Sequence, residues 1–185
     1  MGSSEIGKLR VRQILWMNGA IIAALGISFA VITFMEITMF HMFLFLGVLL
    51  FVQSLAGFIR RDSASSIIPA LDQIAKYERE KMSSEWRKQR TVGSISSLLV
   101  SGICFLNAYL HFRSNILLTI EPMFLFFLTI AILAMTNISM VIHSRKVDGA
   151  QSPADFTDYT WNSNARAIII GLSFCLLVFV VILLV

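Results

Sequence analysis

Five long runs of apolar residues, at about 14–35, 38–59, 92–112, 122–142 and 167–185, alternate with polar segments along the chain. None of the five contains Lys or Arg, and acidic residues stand only at their edges. A hydrocarbon core about 30 Å thick is crossed by roughly 20 helical residues rising about 1.5 Å each. Each run is therefore long enough to span a bilayer. The expected fold is an all-α integral membrane protein with five transmembrane helices, forming a single polytopic domain over 1–185. Very short connections, around 36–37 and 113–115, join the first run to the second and the third to the fourth. Those pairs read as antiparallel hairpins, followed by a C-terminal helix.

The polar segments at 60–91 and 144–166 have patterns of their own. In the first, Pro69 opens about 20 residues rich in helix formers and free of Gly, with Asp72–Lys76 and Glu78–Lys81 as favourably oriented pairs. Ile67, Leu71, Ile74, Ala75, Met82 and Trp86 fall along one face, interrupted by Glu78. This predicts an amphipathic helix between spans two and three, suited to lie in the headgroup region or to pack on a protein. Leu71, Ile74, Met82 and Trp86 are its candidate docking face. Trp86 with Arg87, Lys88 and Arg90 reads as an interfacial anchor. In the second segment, Ser152, Pro153 and Asp155 match a helix start, predicting a short helix over 153–161. Asp155 and Asp158 are expected to face the basic end of the first segment, folding both into one cap.

Composition supports the class: 57% of residues are hydrophobic, 14% are charged and mean hydropathy is +0.78, outside soluble globular usage. Charge sets the expected orientation. Three basic residues precede the first run, eight lie between Arg60 and Arg90, three follow the fourth run, and the other connections hold only Arg113. The positive-inside rule then puts the N-terminus and both long segments in the cytosol and Val185 at the outer face of a cell membrane. The first apolar run exceeds the usual length of a signal-peptide core, so it is expected to stay as an uncleaved anchor.

Small residues mark helix contacts in lipid. Gly19, Ala23, Gly26 and Ala30 in span one, and Gly93, Ser97, Ser101, Cys104 and Ala108 in span three, predict that these two spans form the close-packed centre. GISF at 26–29 and GICF at 102–105, with MFLF at 42–45 and again at 123–126, hint at duplication. Unequal separations between the copies favour coincidence. Cys104 and Cys175 sit among Phe residues and read as packing groups rather than a disulfide or metal pair.

Candidate chemistry is sparse. Glu36, His41, His111, Arg113 and Glu121 gather toward the outer ends of spans one to four. An outward-facing proton or cation site would use such groups. Polar hairpin tips in water, with Arg113 paired to a carboxylate, are the simpler account, and the sequence favours it. Asn18, Gln53, Asn107 and Asn137 at membrane depth are expected to hydrogen-bond between helices. No HExxH, GxSxG, Walker loop or CxxC is present, so neither an enzyme nor a cofactor is expected. The segment at 60–90 has a net charge of only +3 and no aromatic platform, which weighs against nucleic acid. The expected partners are the bilayer, anionic headgroups on the cytosolic side, and a membrane protein or a second copy. The leading functional expectation is a non-enzymatic accessory, regulatory or assembly subunit of a membrane complex; a small-solute or proton-coupled transporter is the alternative.

Overall fold

A computed structural model describes the backbone of residues 3–60, 62–63, 69–114, 117–118 and 121–184, with side chains except at 3, 69, 70 and 173–184. Arg61, Ile67, Asn115, Val185 and the side chain of Cys175 therefore lie outside the described residues. The protein is all-helical: α1 (Ser3–Phe34), α2 (Met39–Ile59), α3 (Pro69–Met82), α4 (Ser84–Leu110), α5 (Pro122–Gly149), a 3-10 turn (Pro153–Phe156) and α6 (Tyr159–Leu184). Among the described residues, α1, α2, α4 and α5 are long and apolar enough to cross a membrane.

Three of these four helices outrun their apolar segments. The 32 residues of α1 extend about 48 Å, well beyond a hydrocarbon core of about 30 Å. The start of α1, the start of α4 and the end of α5 therefore project as polar helix at one end of the molecule, called here the basic end. The amphipathic helix expected to continue to Arg90 stops at Met82 instead. Ser83 adopts φ 51°, a left-handed conformation that breaks the run, and Ser84 starts α4. Trp86 and the basic residues after it thus belong to the first turns of α4.

The tightest packing joins α2 to α4, not α1 to α4 as the small-residue stripes predict. Ser54 and Ser101 are fully buried at this contact. Ser54 Oγ donates to the Ser94 carbonyl at 2.8 Å, and Ser101 Oγ donates to the Gly47 carbonyl at 2.8 Å. The two rungs lie one heptad apart on both helices, the repeat that keeps a seam aligned as two helices wrap. A Cβ on Gly47 would come within 2.9 Å of the Phe105 ring, and one on Gly57 would run into Ser94 Oγ. At both positions a larger residue would have to displace the side chain that α4 packs there. On α4 the seam residues are Ser94, Ser101 and Ala108, all buried. The expected stripe shares Ser101 and Ala108 with this seam, but Gly93 faces open space, as do Gly19 and Gly26 on α1.

In α1 the half-buried positions are Ile6, Gln13, Ile14, Asn18, Ile21, Leu25, Phe29, Ala30 and Ile32, so of the expected stripe only Ala30 is partly covered. Asn18 exchanges two amide hydrogen bonds with Asn137 of α5, at 3.0 and 3.2 Å. Asn107 instead donates to its own helix, at the Ile103 carbonyl, and Gln53 is exposed. At the hairpin end an isolated antiparallel bridge pairs Thr38 with Leu117, and the Leu118 N–H donates to the Ile37 carbonyl at 2.8 Å. The two hairpin tips are thereby tied together.

Candidate functional site

The best-developed polar site lies at the basic end. Polar residues of three helices, α1, α3 and α5, meet there around one arginine. Arg10 of α1 is only 8% exposed. Its Nη1 donates to Glu78 Oε1 of α3 at 2.6 Å and to Gln13 Oε1 at 3.1 Å. Its Nη2 and Nε grip both carboxylate oxygens of Asp148 on α5, at 2.9 and 3.3 Å. A planar guanidinium suits this two-carboxylate arrangement because its donors diverge at fixed angles. Glu78, the charged residue that interrupts the apolar stripe of α3, is there to meet Arg10.

His143 of α5 extends the chain of contacts. Its Nε2 lies 3.4 Å from Glu78 Oε1, and its Nδ1 is 2.8 Å from the Tyr159 hydroxyl of α6. With the hydrogen on Nε2 directed to Glu78, Nδ1 accepts from the Tyr159 O–H and every partner is satisfied. Burial opposes the charged form of Glu78, yet hydrogen bonds from His143 and Arg10 and the charge of Arg10 outweigh it and hold the carboxyl below its ordinary pKa. A single polar relay, Tyr159–His143–Glu78–Arg10–Asp148, thus links α6, α5, α3 and α1.

The elbow at Ser83 adds two clamps. On one side, Lys81 Nζ donates to the carbonyls of Val147, Asp148 and Ala150 at 3.0–3.1 Å, satisfying the C-terminus of α5. On the other, Glu85 Oε2 accepts from the Thr160 N–H at 3.1 Å and the Thr160 hydroxyl at 2.8 Å, at the N-terminus of α6. Cation and carboxylate each sit at the helix end whose partial charge they complement. Between the clamps, Met82, Trp86, Val147, Phe156 and Tyr159 form a buried apolar cluster. Arg90 lies over the Trp86 ring, 4.5 Å from its centre.

This arrangement changes the meaning of the candidate docking face. Ile74, Met82 and Trp86 are 3%, 1% and 4% exposed, and Leu71 is half-buried. Their apolar surface is covered by the chain's own α1, α5, 3-10 turn and α6, so little of it is left for a partner. The two polar segments do fold into one cap, but Asp155 and Asp158 divide the work. Asp155 accepts from the N–H groups of Gln151 and Ser152 at 2.8 and 3.1 Å, which lowers its pKa and starts the turn. Asp158 alone borders the basic start of α4, beside Lys88. The helix expected over 153–161 is a 3-10 turn ending at Phe156, because Asp158 takes φ 57° before α6 begins.

At the hairpin end the five polar candidates form no polar network among the described residues. His41 Nδ1 is 2.7 Å from Thr38 Oγ1, and His111 Nδ1 is 2.9 Å from the Asn107 carbonyl of its own helix. Among the described residues no hydrogen bond or ion pair joins Glu36, His41, His111, Arg113 or Glu121 to one another. Sequence reasoning passed over Arg10, His143, Asp148 and Tyr159. Their partners are between 68 and 138 residues distant for Arg10, so no local spacing pointed to them. The one usable signal was Glu78 breaking an apolar stripe.

The fold defines a class: an all-helical protein with several membrane-length apolar helices, compatible with a multi-pass membrane protein, and a polar cap at one end. The chain matches no family model, no curated protein and no solved structure.

Proposed function

We propose that this protein is a non-enzymatic accessory or assembly subunit of a membrane complex, with five spans, the basic cap in the cytosol and the C-terminus outside a cell membrane. The excess of basic residues at the cap supports that orientation, and the 26 residues of α6 are long enough for a fifth span. The observation that carries the subunit reading is how little α1 and α5 bury. Their apolar windows have no residue buried within the chain. Gly19 and Gly26 open onto empty space on the side of α1 away from Asn18 and Ile21. Lipid offers no hydrophobic reason for helices to associate, so a small-residue face is useful chiefly where another helix approaches closely. A second membrane protein is the occupant this reading assigns to it. The transporter alternative draws no comparable support, since among the described residues no hydrogen bond or ion pair links the hairpin-end polar residues to one another.

A photo-crosslinking residue at Ala23, on the open face, tests this in the native membrane. The expected result is a discrete adduct containing a second membrane protein in stoichiometric yield, while the same probe at Ile21 reacts within the chain. Adducts with lipid alone at Ala23 would overturn the subunit reading.

A further inference from the structure

Beside the Glu85 clamp, α4 and α6 diverge and leave a cleft of about 840 Å³. That volume lies within the roughly 300–1,000 Å³ typical of small-molecule sites. Its polar wall contains Arg87, Lys88, Thr91, Asp158 and Asn164; its apolar wall contains Val92, Ala167 and Ile168. On α4 the lining passes from Glu85, Arg87, Lys88 and Thr91 to Val92 and Ser96, and on the α6 side from Asp158, Thr160 and Asn164 to Ala167 and Ile168, so the charges gather at the cap end and the cleft turns apolar along about 12 Å of α6. Trp161 stands on the cleft wall, 76% exposed, at the border where amphipathic aromatic rings favour a membrane interface. An amphiphile with a charged head and apolar tail matches this gradient.

The charges specify the head. Arg87 uses Nε on Asp62 at 3.0 Å, which leaves its terminal nitrogens, and Lys88 uses one donor on Glu85. Both side chains are about two-thirds exposed, at 60% and 64%, and retain donors for a phosphodiester. Glu85 is already committed to Thr160 and Lys88. Asp158 has no ion-pair partner among the described residues and is exposed on the rim. Two cations with spare donors beside one carboxylate that no ion pair holds among the described residues complement a phosphate bearing an ammonium group. A purely anionic head would leave Asp158 facing like charge.

We propose that the α4–α6 cleft binds an aminophospholipid of the phosphatidylethanolamine type, with its phosphate on Arg87 and Lys88, its ammonium on Asp158 and its acyl chains along Val92 and Ile168. The site does not depend on the subunit reading.

Full-length protein reconstituted in vesicles of equal parts phosphatidylethanolamine, phosphatidylcholine and phosphatidylglycerol, then released from detergent in a native mass spectrometer, tests it. One retained ethanolamine lipid is expected, enriched severalfold over both competitors. Asp158→Asn should erase the preference while lipid is still retained, and Arg87→Gln with Lys88→Gln should lower total retention. Because Lys88 also supports the Glu85 clamp, Ile168→Trp provides a second route: it fills the apolar end without touching a charge and should reduce retention severalfold. Equal retention of all three lipids, preference for phosphatidylglycerol, or retention unchanged by both Asp158→Asn and Ile168→Trp would overturn the assignment.

Discussion

The α2–α4 pair and the α1–α5 pair are built from similarly apolar helices, yet they are held together in opposite ways. The first is closed along its length: Gly47 and Gly57 admit the facing helix, and serine rungs at Ser54 and Ser101 recur every heptad. The second is tied at two points, the Asn18–Asn137 exchange within the apolar stretch and the Arg10 cluster at the basic end. Where apolar surface supplies no net attraction, stability must come from close packing or from polar ties. The first solution leaves no face free over its seam. The second leaves α1 exposed to whatever lies beside it.

The polar tie should fail most sharply at Arg10. Removing one partner of a buried ion pair costs about 3–5 kcal/mol, because the remaining charge stays desolvated. Arg10→Gln strands both Glu78 and Asp148, but the Asp148 side chain is 33% exposed and can recover water, so about 3 kcal/mol is expected. Unfolding in mixed micelles would measure it, and a cysteine pair bridging α1 and α3 should then crosslink more slowly. The same tie makes stability depend on pH. Glu78 has a lowered pKa when folded, so below its ordinary value of 4.5 the unfolded chain binds more protons. Its contribution is complete above that value and is lost as pH falls through the depressed one. The groups facing it are Arg10 from α1, His143 from α5 and, at longer range, Arg90 from α4 and Tyr159 from α6. The stability difference between the natural protein and Glu78→Gln should therefore shrink on acidification.

Next in size comes a direct contrast between two glycines. Gly47→Leu drives a branched side chain into the Phe105 ring, and overpacking of this kind costs about 1–3 kcal/mol. Gly19→Leu enters open space on α1 and should stay within about 0.5 kcal/mol of the natural protein. Equal losses in the two variants would mean that α1 is packed as tightly as α2. If Gly19→Leu leaves stability intact but abolishes the Ala23 adduct, the open face of α1 is a contact surface.

Much of the architecture was legible because membrane length and charge act locally. The apolar runs and the punctuation at Pro122 and Pro153 each express a constraint within a few residues. Pairing of helices was not legible, because Gly19/Gly26 and Gly47/Gly57 carry the same small-residue signal and only the fold decides which finds a partner. The cap was half legible. The apolar positions of α3 and the Asp155 turn were visible, whereas the left-handed break at Ser83 and the relay through His143 depend on helices distant in sequence. Interruption of the stripe by Glu78 looked like a defect in amphipathicity; with Arg10 and His143 in place, it is the reason α3 binds α1 and α5.

The smallest expected effect tests the other tie of α1. Interhelical hydrogen bonds within membranes contribute about 0.6 kcal/mol each on average, and Asn18 and Asn137 exchange two. Asn137→Leu should cost about 1 kcal/mol, since it removes both bonds and leaves the Asn18 amide without its partner. The double variant Asn18→Leu with Asn137→Leu should regain part of that loss, because two apolar side chains leave nothing unsatisfied. A double-mutant cycle measured by unfolding in micelles separates these terms. Purely additive losses would show that the asparagines act independently, leaving the Arg10 cluster as the sole polar tie between α1 and α5.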